Sequence, residues 1–536
     1  MVTRAVVSDP SAWLNASNPV LPGFRPDPSV CRVDGPGGTW YYVVNSTFEY
    51  LPGIPVHRSR DLITWELVGH AIIDQLDYTD VRDSAGLYAP TIRHDGKRFL
   101  VVCTHLAGPG RKGGNFVVTA ESAVGPWSQP VWWPESEGID PSLLLDDDGR
   151  IWAHGTRGAH APQWENQGEV WVREVDPATL ELMGPETAIW TGALIGAQWT
   201  EGPHLYRRGS YVYLVASEGG TGRHHAVTVA RAPSPTGPFE GCPDNPVLTH
   251  RMLGAESAVV NVGHADLVEA PDGSWWALAL ASRLSDGVDL LGRETFLLPV
   301  SWQDDWPVLA PGSGTLVPEP GGPAGASRHG RPATTGSSPE GWIAVRRPPT
   351  EVATRLEASD LVDGDVTLRA GAGMEASEPA FLGRRLRDLA VELSLRVAPA
   401  GPEWVTSPVD RERELGLALR QSALQWVTAG LRADDAGNVE LAVTQCSDGT
   451  ACLVARAPIV GSGSILVRIS GRSADVAWQR AGESERHVAT LDIGHLATTH
   501  AGWFVGVIYG PYALAAKPEP VIAGLLSARP LSTQVP

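Results

Sequence analysis

The stretch Gly23-Phe24-Arg25-Pro26-Asp27-Pro28-Ser29-Val30 places one carboxylate between two prolines, just ahead of a strand-like run. A lone Asp-Pro pair indicates little, because both residues are common in turns. Similar junctions, however, recur along roughly the first 300 residues, and each is followed by a turn and an aromatic-rich strand. The chain is therefore predicted to begin with a series of repeated β units.

Five repeated units can be aligned on these junctions. They open with the phrases Asp27-Pro28-Ser29-Val30, Ala89-Pro90-Thr91-Ile92, Asp140-Pro141-Ser142-Leu143, Gly202-Pro203-His204-Leu205 and His264-Ala265-Asp266-Leu267. The prolines of the first four phrases are spaced by about 50 to 60 residues, close to the length of a propeller blade. Five strand-rich units predict a five-bladed β-propeller, in which the first strand of every blade lines the central axis. Residues at the starts of these strands are then expected to converge at one end.

The composition changes after residue 310. From 311 to 341 the chain is rich in Gly, Pro, Ser and Thr and has few apolar side chains, which is typical of a linker. Alternation of apolar and polar residues returns after Trp342, for example over 389–395 and 464–469, with turn signals between the runs. We therefore predict an all-β protein: a five-bladed β-propeller over 1–310, a linker over 311–341 and a β-sandwich domain over 342–536.

Charge and composition exclude several classes of partner. The chain has 42 Lys and Arg against 61 Asp and Glu, a net charge of −19, which argues against nucleic acid and against an anionic membrane surface. The 20 tryptophans, against 10 tyrosines and 8 phenylalanines, offer flat apolar faces that suit sugar rings, although most are expected to lie in β-sheet cores. The oligomeric state is left open, a homo-oligomer included.

Cysteine usage and the first residues bear on the compartment. The five cysteines are odd in number and show no zinc-binding spacing, so most are expected to be small buried apolar residues. Residues 1–15 contain no apolar run of signal-peptide length. These features predict a cytoplasmic protein with free thiols.

Three of the aligned junctions carry an acidic side chain: Asp27, Asp140 and Glu201. Three acids at equivalent strand starts would be brought together when the repeats close in a ring. Hydrolysis of a glycosidic bond needs a proton donor and a base or nucleophile around an oxocarbenium-like centre, and carboxyl groups usually supply both. The pattern therefore indicates a glycosidase.

In combination these motifs resemble glycoside hydrolase family 43, in its β-xylosidase and α-L-arabinofuranosidase branch. The phrases that carry the resemblance are Asn18-Pro19-Val20-Leu21-Pro22-Gly23-Phe24-Arg25-Pro26-Asp27-Pro28-Ser29, Tyr88-Ala89-Pro90-Thr91, Gly138-Ile139-Asp140-Pro141-Ser142, Glu201-Gly202-Pro203-His204-Leu205-Tyr206, Gly263-His264-Ala265-Asp266-Leu267 and Leu291-Gly292-Arg293-Glu294-Thr295-Phe296. They cover 18–310 in order, and Pro379-Ala380-Phe381-Leu382-Gly383-Arg384-Arg385 resembles the sandwich domain of the same branch.

The resemblance implies a five-bladed propeller and an inverting mechanism. By motif, Asp27 is the general base that activates water, and Glu201 is the general acid that protonates the leaving oxygen. Asp140 orients the acid and keeps its pKa high by like-charge repulsion. Inversion requires the base and the acid to stand roughly 6.5–9.5 Å apart, whereas a retaining pair stands about 5–5.5 Å apart.

The resemblance also implies the substrate contacts. Arg293 resembles an arginine that binds substrate hydroxyls, with an ion pair to Glu294 as the alternative. His264 resembles a channel histidine that in many members neighbours calcium or another cation, and a core histidine satisfied by Asp266 is the alternative. Phe48 and Tyr88 are expected to form subsite walls. No cofactor is required.

Two further segments are singled out. In this branch the sandwich domain contributes an aromatic side chain that closes the pocket, and here Trp503 or Phe504 lies in the corresponding region. The segment 155–167, with His160 and Trp164, departs from the family pattern and is interpreted as a loop over the rim of the site.

The predicted function is an exo-acting inverting hydrolase that releases xylose or arabinose from the non-reducing ends of short xylan-derived oligosaccharides. One alternative is an α-L-arabinofuranosidase with little xylosidase activity. A second is a non-catalytic sugar-binding propeller, against which the three intact acids argue. A third is a retaining, sucrose-type enzyme on the same fold.

Overall fold

A computed structural model describes residues 17–254, 257–321, 341–354, 366–398, 400–407, 412–502 and 504–531. Over these ranges the protein is built almost entirely of antiparallel β-sheet. Most of the predicted linker and the first 16 residues lie outside the described residues. No helix within the described ranges is long and apolar enough to span a bilayer.

The N-terminal half contributes short strands in regular succession. In chain order they are β1 (Ser29–Gly35), β2 (Gly38–Val44), β3 (Tyr50–Leu51), β4 (Gly53–Ser59), β5 (Glu66–Ile72), β6 (Gly86–His94), β7 (Phe99–Leu106), β8 (Gly114–Ala120), β9 (Val131–Trp132), β10 (Ile139–Leu145), β11 (Ile151–Gly158), β12 (Gly168–Val175), β13 (Leu182–Trp190), β14 (Glu201–Arg208), β15 (Tyr211–Glu218), β16 (Ala226–Ala232), β17 (Glu240–Gly241), β18 (Val259–Glu269), β19 (Trp275–Arg283), β20 (Glu294–Gln303) and β21 (Trp306–Leu309). The hairpins between them turn on residues such as Gly38 and Gly96, whose φ values of 91° and 89° suit glycine.

These strands form five four-stranded sheets in the described part of the N-terminal half: β1-β2-β4-β5, β6 to β9, β10 to β13, β14 to β17 and β18 to β21. The first strands of successive sheets contact one another, β1 with β6, β6 with β10, β10 with β14 and β14 with β18, and β18 contacts β1 again. The sheets therefore close into a ring around the five first strands.

The segment before β1 completes the fifth sheet. Leu21 and Thr295 exchange two backbone hydrogen bonds of 3.2 Å each, and the Asn18 side chain binds both backbone groups of Leu297 at 2.8 and 2.9 Å. The amide of Arg25 donates to the carbonyl oxygen of Arg293 at 2.9 Å. This pairing holds the residues just before Asp27 against the strand that follows Arg293.

The C-terminal half forms two larger sheets. Its elements are β22 (Ala344–Val345), α1 (Pro349–Val352), β23 (Ala353–Thr354), β24 (Val366–Ala370), β25 (Arg384–Arg385), β26 (Ala390–Val397), α2 (Gly401–Val405), β27 (Glu414–Ser422), β28 (Gln425–Ala433), β29 (Val439–Ser447), β30 (Thr450–Pro458), β31 (Ser464–Ser470), β32 (Ser473–Gln479), β33 (Arg486–Asp492), α3 (Thr498–Ala501), β34 (Ile508–Leu514) and β35 (Glu519–Pro530), with a 3-10 turn at Gly494–Leu496. The sheet orders are β23-β24-β35-β26-β31-β32-β33 and β25-β34-β27-β28-β29-β30.

One large apolar core fills the space between these two sheets. Along β26 the side chains of Leu393, Leu395 and Val397 are buried, while the residues between them are at least partly exposed. The same alternation in the sequence predicts this strand, since one face of each sheet packs inward.

The two halves are joined by backbone pairing and by buried charge. Strand β22 pairs with β3 of the ring. Asp83 of the ring accepts hydrogen bonds from Arg346 at 2.5 Å and from the amide of Ala423 at 2.8 Å, and Arg420 lies 3.5 Å from it. Because a buried carboxylate needs fixed partners, this cluster holds the second half in one position against the ring.

A buried ion pair occupies the middle of the ring. The guanidinium of Arg93 lies 2.9 and 3.3 Å from the two carboxylate oxygens of Asp266, and Asp266 is fully buried. The hydroxyl of Ser29 donates to Asp266 at 2.6 Å, and the hydroxyl of Tyr206 donates to its other oxygen. Burial alone would raise the pKa of Asp266, but Arg93 outweighs it and holds this pKa well below the ordinary range. The pair ties β6 to β18 across the axis.

Removing this carboxylate should destabilise the fold. The variant Asp266→Ala leaves the Arg93 charge buried without its partner, which costs about 3–5 kcal/mol of unfolding free energy, measured by urea titration. The matched control is Asp148→Ala, which removes the carboxylate from an exposed pair with Arg150 and should leave the urea midpoint unchanged. Equal effects of the two variants would contradict a structural role for the axial pair.

Candidate active site

The five first strands share a backbone irregularity near their starts. One residue in each has a left-handed φ: Asp27 (53°), Ala89 (35°), Asp140 (55°), Gly202 (55°) and His264 (45°). In the four strands other than β1, the pairing register also shifts at this place. Four of the five residues precede a proline, which cannot donate a ladder hydrogen bond, so a bulge forms there. Bulges re-aim side chains, and here they turn those of the strand starts toward one mouth of the ring.

Asp27 is fixed by three groups. Its Oδ2 accepts a hydrogen bond from the Ser46 hydroxyl at 2.6 Å, and its Oδ1 accepts one from Arg293 at 3.1 Å. The Nδ1 atom of His264 lies 3.8 Å from the same Oδ1. Burial alone would raise the pKa of Asp27, but Arg293, His264 and Ser46 together outweigh it and hold this pKa below its ordinary value. Asp27 is therefore an ionised carboxylate at neutral pH.

Glu201 has the opposite electrostatic environment. Burial, followed by the charges of Asp140 and Asp27, raises the pKa of Glu201 to about 8. Asp140 accepts a hydrogen bond from the amide of Gly202 at 2.9 Å, which places it directly beside the acid. Burial raises the pKa of Asp140 itself to about 6, so near pH 7 it is mostly charged while Glu201 keeps its proton. The site thus holds a carboxylate and a carboxylic acid together.

Aromatic rings form part of the pocket wall. Phe48 stacks on Phe504 with centroids 5.7 Å apart, and Tyr88 meets both edge-on at 4.9 and 5.8 Å. The amide of Phe504 donates to Ser84 Oγ at 3.0 Å, which anchors this residue of the C-terminal half at the mouth of the ring. Of the two aromatic candidates from that half, Phe504 lines the pocket, and Trp503 lies outside the described residues.

All seven predicted site residues line one pocket: Asp27, Asp140, Glu201, Arg293, His264, Phe48 and Tyr88. The pocket has a volume of about 60 Å³, room for only a few water molecules. Among the described residues, Nε of the buried Arg293 has no hydrogen-bond partner. The other two nitrogens of the guanidinium donate to Asp27 at 3.1 Å and to the carbonyl oxygen of Phe504 at 3.4 Å.

Two alternatives from the sequence do not apply. The residue that pairs with Glu294 is Arg283, at 2.7 Å, whereas Arg293 binds Asp27. The carboxylate of Asp266 binds Arg93, and His264 instead lies beside Asp27. A Cβ atom at Gly202 would stand 2.6 Å from Nδ1 of His264, so a glycine at that position is needed for the close approach of the imidazole.

The residues of the channel do not fit a calcium ion. The channel carboxylate, Asp266, is already saturated by Arg93, Ser29, Tyr206 and the amide of Val30 at 2.9 Å. A divalent cation would be repelled by the guanidinium at the same place. Within the described ranges, no group of three or more His, Cys, Asp or Glu side chains is arranged to hold a metal. No chemical step is therefore assigned to a metal.

Three residues of the site are missed by sequence reasoning. Ser46 comes from the segment after β2, and its hydroxyl also accepts a hydrogen bond from the amide of Ala89 at 2.7 Å. His225 and Thr221 belong to the segment before β16 and line the pocket. Burial lowers the pKa of His225 to about 4, so its imidazole is neutral. No motif marks these positions, because they lie outside the repeated strand starts.

Comparison with known proteins finds relatives named as xylosidases and arabinofuranosidases. A xylosidase/arabinosidase of Butyrivibrio fibrisolvens is 46% identical over 309 residues, 57% of this chain and 58% of that protein. A non-reducing end α-L-arabinofuranosidase of Bacteroides ovatus is 41% identical over 298 residues, which are 54% of this chain and 52% of that protein. The chain thus spans little more than half the length of the curated relatives it matches.

One solved structure resembles this protein over both the N-terminal and the C-terminal halves. The crystal structure of a xylan β-1,4-xylosidase from Bacillus halodurans superposes with a TM-score of 0.82 at 28% identity, covering 94% of this chain and 98% of the other. The family model "Glycosyl hydrolases family 43" matches residues 16–307, and "Beta xylosidase C-terminal Concanavalin A-like domain" matches 336–523. With the acids, the pocket and both matches in place, the chain belongs to glycosyl hydrolases family 43.

Proposed function

We propose that this protein is an exo-acting, inverting glycosidase that releases xylose from the non-reducing ends of short xylan-derived oligosaccharides. The observation that carries the proposal is a pair of carboxyl groups lining one pocket, Asp27 with a lowered pKa and Glu201 with a pKa raised to about 8. Opposite shifts of this kind support Asp27 as the base and Glu201 as the acid. The names of the xylosidase relatives support the choice of sugar.

In the proposed reaction a water molecule gives a proton to Asp27 and attacks the anomeric carbon. Glu201 gives its proton to the glycosidic oxygen as the bond from that oxygen to the anomeric carbon breaks. The products are a sugar of inverted configuration and a shortened oligosaccharide. Arg293, whose side chain lines the pocket, would bind sugar hydroxyls, and the rings of Phe48, Tyr88 and Phe504 would pack against one sugar.

The architecture is part of the proposal. The five sheets are proposed to be the blades of a five-bladed β-propeller, supported by the closed ring of contacts among their first strands. A propeller over 1–310, a linker over 311–341 and a sandwich over 342–536 stay predictions. So do a cytoplasmic location and self-association.

An arabinofuranosidase with little xylosidase activity is the second candidate, favoured by the 41% identity to the Bacteroides ovatus enzyme of that name. Hydrolysis of 4-nitrophenyl β-D-xyloside and of 4-nitrophenyl α-L-arabinofuranoside by the purified protein separates the two. A higher kcat/KM for the xyloside is expected. If neither is cleaved while xylo-oligosaccharides still bind, the protein is a sugar-binding module and the proposal is wrong.

The pH profile should depend on Asp140. Activity requires Asp27 to be ionised and Glu201 to be protonated, so it rises as the pH exceeds the lowered pKa of Asp27 and falls as the pH passes about 8. In Asp140→Asn the repulsion that holds the Glu201 proton is lost, and the alkaline limb of kcat/KM should move down by about one pH unit. The control Asp146→Asn, directly after the same strand β10 but paired with Arg207, should leave that limb in place. An unmoved limb in Asp140→Asn would refute the role given to Asp140.

A further inference from the structure

An exposed aromatic side chain stands just before the proposed acid. The indole of Trp199 is 43% exposed, and its backbone has a left-handed φ of 50°, which is unusual for a bulky residue. Ile195, four residues earlier, is 96% exposed. Both are among the large apolar side chains that the fold leaves most exposed to water.

The backbone around Trp199 is tied down from several directions. Its amide donates to the carbonyl oxygen of Asn166 at 2.8 Å. The amide of Gly219 donates to the carbonyl oxygen of Gln198, also at 2.8 Å. The indole nitrogen of Trp164 donates to the carbonyl oxygen of Ala197 at 2.6 Å. The segment 155–167, which the sequence sets apart, contains the last residues of β11, up to Gly158, and then a loop. This loop supports the backbone of 197–199.

Glu218 holds the start of the segment 193–199, which ends at Trp199. This buried carboxylate accepts hydrogen bonds from the amides of Ala193 at 2.7 Å and Leu194 at 2.8 Å. It also accepts the hydroxyl of Thr228 at 2.7 Å. Because both ends of the segment 193–199 are anchored, the backbone at Ile195 and Trp199 is held in place. A ligand that binds there therefore orders little additional chain.

The indole borders the pocket on the side of the acid. A Cβ atom on Gly220 would stand 2.8 Å from the Trp199 ring, so the indole lies directly against this glycine. The next residue, Thr221, lines the pocket together with Glu201. Trp199 does not line the pocket itself. It therefore lies at the rim, outside the space for the sugar that is cleaved off.

We propose that Trp199 is the platform for the leaving-group sugar, the xylose ring on the far side of the scissile bond. The acid must reach the glycosidic oxygen, so the leaving sugar has to lie on the side of Glu201, where the exposed indole stands. A pyranose ring has an apolar face that stacks on such a surface, and Ile195 extends it toward the next sugar. The inference rests on the proposed function and specifies its substrates as β-1,4-linked xylo-oligosaccharides.

The test compares substrates with and without a leaving sugar. The kcat/KM for xylobiose and for β-D-xylosyl fluoride, whose leaving group has no ring, is measured for the wild type, Trp199→Ala and Trp199→Phe. In Trp199→Ala the ratio of xylobiose to fluoride should fall by about tenfold, the order of one lost stacking contact. Trp199→Phe should retain most of the ratio. Trp40→Ala, a partly exposed indole on β2 beside Arg58 and Arg60, is the matched control with an unaltered ratio.

Other results overturn the proposal in distinct ways. An equal fall for both substrates in Trp199→Ala means that the indole only supports the acid. An unchanged ratio accompanied by a change in oligomeric state on a sizing column means that the patch contacts protein. If the wild type hydrolyses neither the fluoride nor xylobiose, the proposed function itself fails, an outcome that no result on Trp199 alone can produce.

Discussion

Replacing Glu201 with alanine is expected to lower kcat/KM for xylobiose by about 10²–10⁴-fold, the usual contribution of a general acid. The sugar alkoxide is a poor leaving group and needs the proton that Glu201 holds through its raised pKa of about 8. A 2,4-dinitrophenyl β-D-xyloside releases a stable anion without protonation, so its hydrolysis should fall far less. Steady-state kinetics with both substrates measure the difference.

The control for this variant is Glu240→Ala. Glu240 lies on β17, the outer strand of the same sheet, and pairs with Arg231 on β16. This control should leave both rates at the wild-type level. A loss of the same size for both substrates in Glu201→Ala would mean that Glu201 is not the proton donor. The alkaline limb of the pH profile should also disappear in Glu201→Ala, because the group that titrates there is gone.

Replacing Asp27 with alanine is expected to abolish hydrolysis of both substrates to a similar extent, again by about 10²–10⁴-fold. Attack by water is needed whatever the leaving group, so a better leaving group does not bypass the missing base. Asp27 suits this role because Arg293 and Ser46 fix both carboxylate oxygens, at 3.1 and 2.6 Å, and favour its ionised form. The two variants should therefore differ in their selectivity, although each is nearly inactive on xylobiose.

Asp34→Ala is the control here, since Asp34 lies on β1 but forms an exposed pair with Arg32. It should behave as the wild type does. If Asp27→Ala kept substantial activity on the dinitrophenyl substrate, Asp27 would not be the base, and the assignment of the two acids would have to be exchanged.

The strand starts are the part of the site that the sequence predicts well. Asp27, Asp140 and Glu201 lie far apart in the chain, but each is placed by a local phrase with proline next to or near the acid. Because a ring of repeats brings equivalent positions together, the phrases alone predict that the three acids meet. They share one pocket, together with Arg293 and His264.

What the sequence does not predict depends on contacts between distant segments. Arg93 meets Asp266 across 173 positions of the chain, and no local phrase indicates which of the channel's polar groups an arginine would bind. The pairing depends on which side chains of β6 and β18 meet in the folded ring, and this is seen only in the structure.

The sequence predicts that the C-terminal half contributes an aromatic side chain to the pocket, but not which one. Either of two neighbouring aromatic residues satisfies the expectation that this half closes the pocket. The hydrogen bond from the amide of Phe504 to Ser84, at 3.0 Å, places its ring against Phe48. Such a tertiary hydrogen bond has no signature in the local sequence.

The central claim is that Asp27 and Glu201 act as the base and the acid of an inverting hydrolase. Proton NMR of the first minutes of xyloside hydrolysis tests it most directly, because the anomer released first is seen before mutarotation equilibrates it. With Asp27 as the base and Glu201 as the acid, β-D-xyloside should yield α-D-xylose first. Initial release of β-D-xylose would show retention through a covalent intermediate, and the two carboxyl groups would then not have these roles.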